Sequence, residues 1–255
     1  MGESDREGFP RMTLGEHLEE LRRRIIYSLA GLAVGLGMAL FFGNRIIDAL
    51  KYSYVVSMRR AGMEEQLAVP TVTSGFTTYL SVSLIAGIVI ASPWIFCQLW
   101  MFVSAGLYKR ERRYVVYAVP LSAALFLGGV VFFLFGVSMQ VMRFFIGFNR
   151  WMGVKPVIML KDHIRFVTQL MLVFGLAFQT PLVVLMLAKM GLVTIRTLNK
   201  YRRHVIVAIA LVAAILTPPD LFSQLALGVP MWLLYELGVL LSYLLVARKK
   251  APSEV

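Results

Sequence analysis

Charge of both signs gathers in one stretch just ahead of the first long apolar run. Thr13–Arg24 reads TLGEHLEELRRR and carries Glu16, Glu19 and Glu20, then Arg22, Arg23 and Arg24. Carboxylates at a membrane surface can receive a cationic ligand. Guanidinium fits best, because it makes a forked pair with a carboxylate that lysine cannot reproduce. The ordinary alternative is local: Glu19–Arg23 and Glu20–Arg24 are Glu-first pairs four apart, which support a helix. A second acid, Glu111, stands inside the basic run Lys109–Arg113. It either relieves local repulsion or supplies a second carboxylate for a ligand with two neighbouring guanidiniums.

Polar groups inside apolar runs form the next set. Gln179 and Glu236 fall within long hydrophobic segments, where a polar side chain is a functional candidate by default. The alternative for both is a hydrogen bond between helices of the same chain; Glu236 falls at mid-span, pointing inward. The turn Thr217–Gln224, TPPDLFSQ, groups Thr217, Asp220, Ser223 and Gln224. Asp220 or Ser223 there can cap a helix, or the patch can meet a polar residue on another protein's single span. Nothing resembles a nucleotide-binding GxxxxGK[ST] loop, a GxSxG elbow or an HExxH zinc site. His17, His163 and His204 are scattered and near span ends. Cys97 is alone, which excludes an internal disulfide and leaves it an apolar filler. No cofactor is expected.

The elements that must position these residues are membrane spans. The 255 residues are 58% hydrophobic and 16% charged, against about a quarter charged in an ordinary soluble domain, and the mean hydropathy is +0.73. The net charge of +12 fits cytoplasmic loops and anionic lipid headgroups rather than nucleic acid. Six helices are expected, at about 25–42, 76–102, 114–137, 166–188, 205–216 and 221–246, in one membrane domain covering 1–255. No cleavable signal peptide is visible.

Thr13 three residues before Glu16 predicts a helix start at Leu14. Gly31, Gly35 and Gly37 in the first span permit close helix contact, within the chain rather than between chains. The segment Asn44–Ser74 is long for a connection and predicts short helices or a cap of its own. Pro93 is expected to kink or end the second span's apolar part. The fifth run, Val205–Leu216, offers only about 18 Å of helix against a hydrocarbon core of about 30 Å. With the N-terminus inside, 17 of the 26 Lys and Arg fall on the inner side. The positive-inside rule then predicts both termini cytoplasmic.

Three runs in this order resemble the TatC family, the multispanning receptors of the twin-arginine protein translocase. They are HLEELRRR at His17–Arg24, GLYKRERR at Gly106–Arg113 and LTPPDLFSQ at Leu216–Gln224; SPWIFCQLW and FGLAFQTPLVV are similar too. The resemblance covers about Thr13 to Leu245. It implies an all-α, concave, glove-like bundle of six spans in the cytoplasmic (inner) membrane, with helices 5 and 6 short. It implies binding of twin-arginine signal peptides of folded cargo, and transport with TatA- and TatB-like single-span partners and other copies of the chain. The proton-motive force would drive this, without ATP. Glu20 and Glu111 would receive the paired arginines, with Arg22 and Arg24 positioning that surface. Thr217, Gln224 and Asp220, with Gln179, would face a partner helix. Many family members have a glutamate where this chain has Gln179, so a proton-carrying role at that position is not expected here. Two other readings compete. A solute transporter would need a buried charged pathway, and a membrane enzyme would need a nucleophile–base or metal set that this sequence lacks.

Overall fold

The computed structural model describes residues 14–106, 112–217 and 220–246. Among them every extended element is helical, and the only strand-like pairing is an isolated bridge between Ala68 and Met159. The helices are α1 (Leu14–Phe41), α2 (Gly43–Ala61), α3 (Ser74–Ala105), α4 (Arg112–Phe132), α5 (Ser138–Trp151), α6 (Leu160–Ala177), α7 (Thr180–Lys189), α8 (Ile195–Leu216) and α9 (Leu221–Val246); a π-helical turn, Phe133–Val137, joins α4 to α5. Five stretches are long and apolar enough to cross a membrane: Gly15–Phe41, Ser74–Ala105, Val115–Trp151, Leu160–Lys189 and Leu221–Leu245. The sixth, α8, falls short by composition because its first turns carry Arg196, Lys200, Arg202 and Arg203.

α1 is helical from Leu14, the first described residue, and runs without a break from its polar head into its apolar run; Thr13, the expected cap, lies outside the described residues. It lies along α3 at backbone-contact distance. A Cβ on Gly31 would meet the Trp94 ring at 2.3 Å, and one on Gly35 would meet the Gly87 carbonyl oxygen at 2.6 Å. Two of the three predicted glycines therefore serve contact within the chain; Gly37 faces open space. The Trp94 indole N–H donates to the Tyr27 carbonyl at 2.9 Å and ties the pair further.

Pro93 does not end the second span: α3 continues to Ala105. The missing proline N–H would strip the Val89 carbonyl of its helical donor, and the Ser92 hydroxyl supplies one at 2.7 Å. Proline acts differently at the break between α6 and α7. Pro181 cannot donate to the Ala177 carbonyl, α6 ends at Ala177, and Pro181 opens the first turn of α7.

The helix of the third span continues past residue 137, where that span was expected to end. Val115–Trp151 is 37 residues of continuous helix, about 55 Å long and well beyond a hydrocarbon core of about 30 Å. Its last part, α5, stands beyond the core and packs on α2 as a cap, which confirms that the segment after span 1 has structure of its own. Tyr54, Met58 and Ile146 form the cap's buried centre, with Leu67 and Ile158 around it. Its polar ties are Ser138 to Ser53 at 2.8 Å and Tyr54 to the Gln66 carbonyl at 2.9 Å. The loops 62–73 and 152–159 are stitched by backbone bonds from Ala68 to Ile158 at 3.1 Å and from Leu160 to Ala68 at 2.9 Å.

Below the cap, Val82, Phe126, Phe133, Val167, Phe174 and Leu227 form the main core. Half of the apolar window of Leu160–Lys189 is buried, against 11% for α1. The α6–α7 unit is thus the axis of the bundle, and α1 is a flank held mainly by α3.

Helices 5 and 6 of the expected six are not short as helices. α8 has 22 residues and α9 has 26. Only the apolar half of α8 is short. Thr194 caps its start by accepting from the Thr197 N–H at 3.2 Å, so the helix begins well before residue 205, where the fifth span was expected to start.

Candidate functional site

The head of α1 supplies the first candidate. Its helical period sets Glu20 one turn before Arg23 and Arg24, and the Glu20 carboxylate takes both guanidiniums. Arg24 Nε donates to one oxygen at 2.7 Å, and Arg23 pairs with the other. The expected Glu19–Arg23 pair is thus replaced, because Arg23 turns to Glu20 instead. The two arginines differ. Arg23's side chain is 55% exposed and Arg24's 18%. Arg24 is fixed from the far side by α3: its Nη1 donates to the Gln98 side-chain oxygen at 3.0 Å and lies 3.3 Å from the Met101 sulfur.

Gln98 is 2% exposed, so its amide oxygen needs a donor from within the protein. It is the residue that the reading of the sequence passed over, although it stands in SPWIFCQLW as the lone amide in an apolar run. His17 stacks on Phe102 with ring centroids 4.6 Å apart, closing the same α1–α3 seam one turn further out. Beside the seam lies an open groove of about 490 Å³ lined by Glu16, Glu19, Glu20, Arg22, Arg23 and Tyr27. Glu111 lies outside the described residues, in the chain between α3 and α4.

The second candidate, at the α8–α9 turn, is quieter. Thr217 is buried, and its hydroxyl donates to the Ala213 carbonyl of its own helix at 2.8 Å. Asp220 caps α9 by accepting from the Ser223 N–H at 2.7 Å. The Gln224 amide donates across to the Ala210 carbonyl of α8 at 3.2 Å. Two buried atoms here, Asp220 Oδ2 and Ser223 Oγ, have no hydrogen-bond partner among the described residues. Gln224 also lines an apolar groove of about 320 Å³ between α8 and α9, with Ile206, Ile209, Leu225, Val229 and Trp232.

Gln179 does not join this group. It precedes α7 and donates to the Ser122 carbonyl of α4 at 2.8 Å, while the Ser122 hydroxyl accepts from the Trp100 indole at 2.6 Å. Two residues on, Pro181 packs against Gly238, about 21 Å along α9 from Gln224 by helical rise. The helix-to-helix bond inside one chain is therefore what Gln179 makes. Glu236 likewise bonds between helices of the same chain: it pairs with Arg202 of α8 at 2.7 Å, because α8 begins early enough to bring that arginine alongside. No cluster of metal-ligating side chains occurs among the described residues.

Residues 16–230 match the family model described as Sec-independent protein translocase protein (TatC). The chain is 34% identical over 239 residues to the TatC protein of Desulforapulum autotrophicum, covering 94% of this chain and 87% of the relative. It is 34% identical over 233 residues to TatCy of Bacillus subtilis, covering 91% and 89%. It is 33% identical over 241 residues to TatC of Aquifex aeolicus, covering 94% and 98%. A crystal structure of the twin arginine translocase receptor TatC superimposes with a TM-score of 0.80 at 32% identity, covering 90% of this chain and 99% of the other. A second, in the detergent DDM, gives 0.81 at 32%, covering 89% and 99%.

Helical bundle and matches together define a multi-pass membrane component of a protein-transport machine, not an enzyme. The chain belongs to the TatC family, within the twin-arginine, Sec-independent protein translocase.

Proposed function

We propose that this chain is the receptor subunit that binds twin-arginine signal peptides. Glu20 is the principal contact, Glu111 the second carboxylate, and Arg22 and Arg24 shape the surface. The observation that carries the reading is that Glu20 already holds two guanidiniums at once. Its carboxylate has the geometry for an arginine pair, and the protein's own arginines occupy it. Exposed Arg23 is the one a ligand would displace, since such pairs contribute only about 0–1 kcal/mol. Arg24 stays, held by Gln98. The acids Glu16 and Glu19 in the same groove add attraction for a dicationic motif.

Both termini face the cytoplasm in this reading, so the α1 head meets cargo before export from the cytoplasmic (inner) membrane. Thr217, Asp220 and Gln224 meet a TatA- or TatB-like single span in the apolar groove between α8 and α9. Gln179 contributes to partner binding only through the shape it gives the bundle. Other copies of the chain complete the complex, and the proton-motive force drives transport.

The experiment is binding of a fluorescent twin-arginine signal peptide to the purified protein. Glu20→Ala and Glu111→Ala should each weaken binding by at least several-fold, and a Lys-Lys peptide should bind worse than Arg-Arg. Undiminished binding to the double variant, with thermal stability unchanged, would remove the site from consideration.

A further inference from the structure

A third concavity lies at the opposite end of α1 from Glu20, where α2 meets α3, α4 and α6. It has a volume of about 290 Å³. Its floor is buried and apolar: Leu50, Val82, Val130 and Met171 are all under one-tenth exposed. Thr168 also lines it, but its hydroxyl is taken up by the Ile164 carbonyl at 2.7 Å, so the floor presents no hydrogen-bonding demand. One charged side chain lines the groove, Arg45, at the exposed edge on the first turn of α2.

Arg45 has no acid of its own. The nearest candidate by sequence, Asp48, lies one turn on and pairs with Lys51 at 2.9 Å. Among the described residues no carboxylate pairs with Arg45. A cation left open at the edge of an apolar furrow, in a chain surrounded by lipid, matches a molecule with an anionic head and a hydrocarbon tail. We infer that this groove holds one phospholipid of the surrounding bilayer, its phosphate on Arg45 and part of one acyl chain on the floor between α2, α3 and α6.

A guanidinium makes forked bonds to phosphate oxygens that a neutral side chain cannot.

Native mass spectrometry of the full chain, released from mild detergent after extraction from a membrane containing phosphatidylglycerol and phosphatidylethanolamine, tests this. The wild type should retain one phospholipid per chain, enriched in phosphatidylglycerol. Arg45→Gln should lower phosphatidylglycerol retention several-fold. Lys51→Gln, whose charge already faces Asp48, should leave retention unchanged. Ala49→Trp, at an exposed position on the groove's edge, should abolish retention while the melting temperature stays within a few degrees. Equal retention by wild type, Arg45→Gln and Ala49→Trp would overturn the proposal. So would displacement of the lipid by a twin-arginine signal peptide that crosslinks to position 49, since the groove would then belong to cargo. Lipid retention requires no signal peptide, so loss of peptide binding at Glu20 would leave this result untouched.

Discussion

Two helix pairs in this molecule are built on opposite principles. α1 and α3 approach until backbone meets backbone, with Gly35 against the Gly87 carbonyl and Gly31 beneath Trp94. α8 and α9 stand further apart: a Cβ on Gly228 would find Ile209 at an ordinary 3.8 Å, and an apolar groove remains beside them. The first pair carries a charge network that crosses the seam from Glu20 through Arg24 to Gln98. The second carries polar side chains that mostly bond their own helices. A charged site must be held rigidly, because guanidinium–carboxylate geometry is directional. An apolar docking groove needs room rather than rigidity. The difference in packing thus sorts the candidate sites by the chemistry each can support.

The largest effect expected concerns the seam itself. Gly35→Val forces a side chain into the Gly87 backbone and should destabilise the protein by about 1–3 kcal/mol, read as a lowered melting temperature in detergent. Gly228→Ala should stay within about 0.5 kcal/mol of wild type. Equal losses would erase the contrast between the pairs. Next come the two arginines on Glu20. Arg24→Ala strands the buried Gln98 oxygen and should cost about 1–3 kcal/mol, while Arg23→Ala should cost under about 1 kcal/mol. Arg23→Ala should also leave signal-peptide binding intact or improve it, since the ligand no longer has to displace it; a several-fold loss would refute that exchange.

At the second pair, Asp220→Ala removes the cap on α9 and should lower stability by about 0.5–2 kcal/mol, with no change in signal-peptide affinity. The smallest effect lies outside both pairs. Arg59's hydrogen bond holds the Glu65 carboxyl below its ordinary value. A depressed folded value means the contribution is full above the ordinary carboxylate range and lost as pH falls through the folded value. Glu65→Gln should therefore flatten a slight acid-side decline in melting temperature by lowering the neutral-pH value slightly, towards the wild type's acid-side level.

Much of the architecture was legible because membrane helices announce themselves by composition. The existence of a structured cap followed from the length of the segment after the first span. The failures have physical causes. Ser138–Trp151 reads as polar loop, yet Val141, Met142 and Ile146 bury one face and make it helix. The basic run ahead of Val205 reads as a connection, but a threonine cap starts α8 inside it. At the candidate site, the local sequence offered Glu20 and its arginines. It could not offer Gln98, because the bond that matters joins positions 74 apart. Nor could it name the partner of Glu236, since Arg202 is 34 positions away on another helix.

That long-range bond also sets an order on the making of this protein. A nascent chain that has emerged only as far as α2 possesses every acid and every arginine of the α1 head. It lacks the side chain that seats Arg24. The surface becomes a defined shape only once the far end of α3 has been synthesised, inserted and laid back along α1. Until then Arg24 is free to swing, and the carboxylate has no fixed bearing.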